Sequence, residues 1–149
     1  MAAIEVQGLT KAYGDTLAND GLEFSIERGE IFGFLGPNGA GKSTTIRQLM
    51  GFQSPTAGTA TIFGTDIRDE RALRETRRRI GFLPGEPAFT SSVTGREFLD
   101  YQAALKGEQR RDELLGLFAP PLDRTIREYS TGNKQMLGIV QAFMHDPDL

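Results

Sequence analysis

An α/β fold is predicted, β-rich in its first part and helical in its later part, and two observations predict it. Apolar residues alternate with polar ones near the start, at Ile4 and Val6 and again at Leu22, Phe24 and Ile26, the period of half-buried antiparallel strands. A nearly continuous apolar run, Ile31-Phe32-Gly33-Phe34-Leu35, then leads into the glycine-rich segment Gly36 to Thr44 with a helical pattern behind it. Such a run suits a strand buried on both faces of a sheet.

The remaining elements follow in order. Asn19-Asp20-Gly21 and Arg28-Gly29 read as turns between the early strands. From Lys42 the residues Thr45, Ile46, Leu49 and Met50 recur at helical spacing, with Gly51 as a left-handed stop. Thr59 to Phe63 is a strand ended by Gly64, Arg68 to Arg79 a charged helix, and Ile80 to Leu83 a second buried strand. After the break at Pro84 to Pro87, a helix is expected from Thr94 to Leu105, with Thr94 as cap and Glu97 three residues on. Others are expected over Gln109 to Phe118 and, behind Ser130, along Met136, Leu137, Ile139, Val140, Phe143 and Met144. The chain is thus expected to hold a β-subdomain and loop core at 1–86, a helical subdomain at 87–130 and a last helical segment at 131–149.

Composition narrows the function classes. An apolar fraction of 38% and a charged fraction of 25% are those of an ordinary folded domain rather than a disordered chain. The net charge of −3 carries no footprint for nucleic acid, so no nucleic-acid partner is expected. Without cysteine there is no disulfide or thiolate metal site, and one histidine, His145, cannot build a metal cluster. No apolar stretch has the length of a membrane span, so any membrane role is expected to come through a partner.

The segment Gly36-Pro37-Asn38-Gly39-Ala40-Gly41-Lys42-Ser43-Thr44 has the spacing of a phosphate-binding loop, and it lies between a predicted strand and a predicted helix. Glycines at 36, 39 and 41 let backbone N–H groups turn toward phosphate oxygens, and the helix behind them adds the positive end of its dipole. Lys42 is the candidate partner of the β and γ phosphates and Ser43 the candidate hydroxyl ligand of Mg²⁺. The loop alone does not separate kinases, GTPases and ATPases.

Four segments together decide among these: the loop itself, Ser54 to Gly64 (SPTAGTATIFG), Arg77 to Pro87 (RRRIGFLPGEP) and Tyr129 to Leu149 (YSTGNKQMLGIVQAFMHDPDL). In order and over nearly the whole chain they resemble the nucleotide-binding domain of ABC transporters, most closely the ATP-binding subunits of ABC-2, drug-resistance exporters. The resemblance implies a P-loop NTPase fold with an N-terminal antiparallel β-subdomain and a helical subdomain. It implies ATP and Mg²⁺ as cofactors, with Asn38, Ala40 and Thr44 joining the loop glycines, Lys42 and Ser43 around the nucleotide. Tyr13 matches the aromatic that stacks on adenine. Tyr129-Ser130-Thr131-Gly132-Asn133 stands where the family has LSGGQ. Ser130 and Gly132, retained, would face the γ-phosphate held by a partner subunit in a head-to-tail homodimer or pair, while Thr131 and Asn133 depart from the pattern. The family's loop glutamine is absent: Gly85 holds its place, and Glu86 beside it is the alternative metal ligand.

The same resemblance implies a multi-span membrane permease as partner and a cytoplasmic location on the inner face of the cell membrane. The carboxylates that hold Mg²⁺ and position the attacking water would come on an apolar strand expected beyond Asp146-Pro147-Asp148-Leu149, so no catalytic residue is assigned within the chain. It is expected to be the N-terminal part of a longer subunit. Without that strand the fold would be incomplete, the run Ile31 to Leu35 would lack a neighbour, and low solubility or a molten state is expected of the isolated 149 residues. His145 is read as a surface or helix-end residue. The arginines at 71, 74, 77, 78 and 79 read as a solvated helix face paired with Asp69, Glu70 and Glu75, and Phe89, Phe98 and Tyr101 as core. Two other readings stay open: a soluble ABC ATPase acting on ribosomes or DNA, and a non-catalytic ATP-binding fragment.

Overall fold

The computed structural model describes residues 2–149, which form a first compact unit ending at Arg77 and a second running from Arg78 to Leu149. In the first unit, β1 (Ala2–Tyr13) and β2 (Thr16–Glu27) make a long antiparallel ribbon. Helix α1 (Lys42–Leu49) follows, then β3 (Ala57–Ile62), β4 (Thr65–Asp66) and helix α2 (Glu70–Thr76). The sheet runs β2-β1-β3-β4, all antiparallel. Ile4, Val6, Leu9, Ile26, Leu49, Ala60, Ile62, Ile67 and Leu73 are buried, the alternate residues of the strands and the inner stripes of the helices.

The ribbon turns at Gly14-Asp15, between the paired residues Tyr13 and Thr16. Asn19-Asp20-Gly21, expected as a turn, lies inside β2 instead. Gly8 and Gly21 take positive φ close to the register shifts of β1 and β2, so that turn-like sequence marks an irregularity in a continuing strand rather than its end.

Neither expected buried strand is a strand among the described residues, whereas the antiparallel sheet of the first unit is the one expected. In the run Ile31 to Leu35, Ile31 is 100% and Leu35 92% exposed. A strand exists only through pairing, and no strand pairs with this run. Its phenylalanines gather on β2 instead: Phe32 stacks on Phe24 at 5.3 Å between ring centroids, and Phe34 lies 5.8 Å from Phe24. Ile80 is buried. The Gly81 N–H donates to the Leu149 carbonyl at 2.7 Å and the Leu149 N–H to that of Arg79 at 3.3 Å, the alternation of a parallel pair confined to a single position.

In the second unit, α3 (Gly95–Lys106), α4 (Arg111–Phe118) and α5 (Thr131–Phe143) surround Leu99, Leu114, Ile126, Tyr129, Leu137, Val140 and Met144. Thr94 and Glu97 form the expected capping box, and the bonds that the Thr94 backbone N–H and then its hydroxyl donate to the Glu97 carboxylate hold that carboxyl below the usual range. Phe89 and Phe98 pack edge to face in this core at 5.1 Å, whereas Tyr101 is exposed. Residues 78–86, grouped with the β-subdomain in the sequence reading, make their contacts here. Gln135 Nε2 donates to the Gly85 carbonyl, Lys106 Nζ to that of Ile80, and the absent side chain of Gly138 leaves room for Leu83.

His145 is 6% exposed, not a surface residue, and neither ring nitrogen has a hydrogen-bond partner among the described residues. Burial, with the Lys106 charge second, pushes its pKa down. The Ile80 carbonyl, which would favour the imidazolium, already accepts from Lys106 at 3.2 Å, and Asp146 opposes the shift only weakly.

Two outcomes follow from this packing. An alanine at Gly58, whose φ is 77°, would place Cβ 2.0 Å from the Gly8 carbonyl oxygen. Gly58→Ala should therefore lower stability by about 2 kcal/mol or more, and an unchanged urea midpoint would contradict the crossing of β1 and β3. For His145, the unfolded chain binds a proton near its ordinary pKa while the folded chain resists it. Its contribution is full above about pH 6.5 and fades as pH falls through the lower folded value. The drop in urea midpoint between pH 7.5 and pH 5.5 should be larger in the wild type than in His145→Leu.

Candidate functional site

Helix α1 starts on Gly41, which takes φ 82° and offers no side-chain cap. Any Cβ there would stand 2.0 Å from the carbonyl oxygen of Ala18, so only glycine lets β2 lie this close to the loop. The first-turn N–H groups of α1 consequently lack a capping acceptor, and they open on a cavity of about 260 Å³. Asn38, Gly39, Gly41, Lys42, Ser43 and Thr44 line it, together with Ala18. Lys42 Nζ crosses the loop to donate to the carbonyls of Gly36 at 2.6 Å and Pro37 at 2.7 Å. The Ala40 N–H closes a turn on the Pro37 carbonyl, and Gly36 packs against Ala40. Orphan donors, the positive end of a helix and an ammonium around one concavity suit an anion of several oxygens.

A buried polar knot holds this loop in place, and the sequence reading did not single it out. Asn19 Nδ2 donates to Thr45 Oγ1 at 3.1 Å and to Gln48 Oε1 at 2.8 Å, and Thr45 Oγ1 donates to the Gly41 carbonyl at 3.0 Å. Gln48 Nε2 reaches the Thr10 carbonyl at 3.3 Å. All three side chains are buried, and Asn19 Oδ1 has no partner among the described residues. No signal in the sequence marks Asn19, which reads there as part of a turn.

Tyr13 lies at the end of β1, 48% exposed, with its hydroxyl donating to Gln53 Oε1 at 2.8 Å and Lys11 Nζ 5.2 Å from the ring centre. The ring is thereby oriented while much of it stays open to a flat partner. Ser43, exposed in the first turn of α1, is a hydroxyl donor for a metal that keeps water and phosphate oxygens as its other ligands.

The second unit holds the other candidates. Tyr129 is buried, its hydroxyl donating to the Pro121 carbonyl at 2.6 Å, and burial with the nearby Asp123 charge raises its pKa. That anchor delivers exposed Ser130 to the start of α5, where its Oγ accepts from the Asn133 N–H at 3.1 Å. Gly132 is open, with only Ser130 Oγ near its missing side chain. Glu86 is exposed on the loop that Gln135 ties down, a link the sequence reading passed over. Among the described residues no group of three or more His, Cys, Asp or Glu could hold a metal ion. Nor, among the described residues, is any helix long and apolar enough to cross a membrane.

Residues 19–149 match the family described as ABC transporter. The daunorubicin/doxorubicin resistance ATP-binding protein of Streptomyces peucetius is 39% identical over 99% of this chain and 46% of its own length. The bacitracin transport ATP-binding protein of Bacillus licheniformis is 38% identical over 98% of this chain and 49% of its own. The chain thus spans about half the length of the curated relatives it matches. Among solved structures, an ATP-binding subunit of an ABC transporter superposes with a TM-score of 0.86 at 31% identity, over 97% of this chain and 63% of that one. A dimeric ATP-binding cassette bound to ADP and Pi shares the fold, with a TM-score of 0.85 at 23% identity over 97% of this chain and 70% of that one. With the family matched over residues 19–149 and the same architecture found in its ATP-binding subunits, the chain belongs to the ABC transporter family.

Proposed function

We propose that the chain is the nucleotide-binding part of an ABC ATPase subunit that drives export through a separate multi-span permease. The observation that carries this is the cavity at the uncapped start of α1, with Lys42 folded across it. On this reading ATP phosphates enter the loop, Lys42 leaves the Gly36 and Pro37 carbonyls for the β and γ oxygens, and the N–H groups behind Gly41 donate to the remaining phosphate oxygens. Gly36, Asn38, Gly39, Ala40 and Thr44 shape the cradle. Tyr13 stacks on adenine, already steered by Gln53. Bound Mg²⁺ would neutralise phosphate charge. Ser43 would hold it.

Ser130 and Gly132 are read as the half-site offered to a second ATP-binding subunit. The open start of α5, capped only by Ser130 itself, supports that role. The two relatives are named for bacitracin transport and for daunorubicin/doxorubicin resistance, which favours export and a place on the inner face of the membrane. For the 149 residues by themselves the reading is binding without turnover, because no carboxylate in them is assigned to position the attacking water.

Lys42→Ala should weaken binding of a fluorescent ATP analogue roughly tenfold to a hundredfold, the value of one or two charge-assisted contacts. Equal affinity in the variant would sink the reading. Phosphate release by the 149-residue chain should not exceed that of Lys42→Ala, and turnover above this control would refute the non-catalytic part alone.

A further inference from the structure

We propose that a second pocket of the first unit, lined by Gly51, Glu70, Arg71, Arg74 and Arg77, binds a phosphate-class polyanion independently of the Gly36 to Thr44 loop. The inference does not rest on the proposed ATPase role. The three arginines recur every third residue along α2 and the turn after it, so their guanidinium groups converge on one opening of about 570 Å³. Arg71 and Arg74 are exposed, as expected of a solvated helix face, but the acid pairing expected with it is not found at these two residues. Asp69 is engaged in capping α2 through the Ala72 N–H, and neither Arg71 nor Arg74 has an ion-pair partner among the described residues. Glu70 is the one acid in the lining, which leaves the pocket about two charges positive on a chain whose net charge is −3.

The helix dipole accounts for a basic residue in the last turn of α2, here Arg74. It does not account for Arg77, whose Nε is buried with no hydrogen-bond partner among the described residues. That guanidinium is held in place: its centre lies 5.8 Å from the Phe52 ring centroid, and a side chain on residue 51 would come within 3.0 Å of Nη2. A buried donor kept from water and fixed by packing is organised for an acceptor. A lone carboxylate would offset only one charge, whereas a phosphate group brings two or more and matches the guanidinium fork. The phosphate could belong to a soluble polyphosphate or to a lipid headgroup.

Inorganic pyrophosphate and vesicles separate these sources. The 149-residue chain is titrated with pyrophosphate in the Lys42→Ala background, which weakens the other phosphate loop, while the Arg77 Nε–H resonance is followed. That resonance should shift saturably. Arg71→Gln and Arg74→Gln, both at exposed positions, should each weaken binding roughly tenfold, the loss of one charge-assisted contact, and Arg124→Gln in the second unit should change nothing. Co-sedimentation with phosphatidylcholine vesicles containing phosphatidic acid, against phosphatidylcholine alone, is the second arm. A response to either phosphate probe that depends on Arg74 supports the site and names its source. No response to both, equal loss with Arg124→Gln, or binding of a polyglutamate peptide alone would overturn it.

Discussion

The side-chain amide of Asn19 is the contact on which the glycine-rich loop depends. It joins β2 to α1 by donating to Thr45 and Gln48, and Thr45 passes the constraint on to the Gly41 carbonyl. Removing one member of such a buried set leaves the others unpaired, a cost of about 1–3 kcal/mol, so the knot selects one placement of α1 against the ribbon. The Ala18 carbonyl beside Gly41 then sets how near the ribbon can come. Loop shape, the open N–H groups and the reach of Lys42 all follow from that placement. None of the three knot residues lines the cavity, so their mutual hydrogen bonds can persist whether or not a ligand is bound.

The second unit solves a similar problem with a different anchor. There a buried tyrosine, Tyr129, takes the role that the Asn19 knot has in the first unit. Its hydroxyl is held by the Pro121 carbonyl and its ring touches the place where Gly95 lacks a side chain. One residue later the chain is exposed, and Ser130 caps α5 with its own oxygen. A rigid interior residue immediately before the start of α5 fixes where Ser130 stands at little cost in buried polar groups.

Exposed apolar surface marks where pairing is missing. Ile31 and Leu35 stand free while Phe32 and Phe34 collapse onto Phe24, because rings can recover burial from a neighbouring strand when the backbone finds no ladder. The backbone of 79–81, by contrast, finds partners in Asp148 and Leu149.

Much of the fold and site was legible in the residues themselves, wherever the cause is local. The α1 start at Gly41, the Gly51 stop, the Thr94–Glu97 capping box and the Ser130 cap depend on neighbours within four residues, and each is found where the sequence places it. The glycine spacing around Lys42 likewise marks the candidate site without any knowledge of what lies behind it. What only the tertiary structure decided depends on residues distant in the chain. It set the fate of the runs 31–35 and 80–83, the burial of His145, the place of Asn19 inside a strand, and the gathering of Arg71, Arg74 and Arg77 around one pocket. Apolar character says that a segment seeks burial, but a strand needs a second strand's hydrogen bonds, and a buried amide needs a partner whose position no single segment encodes.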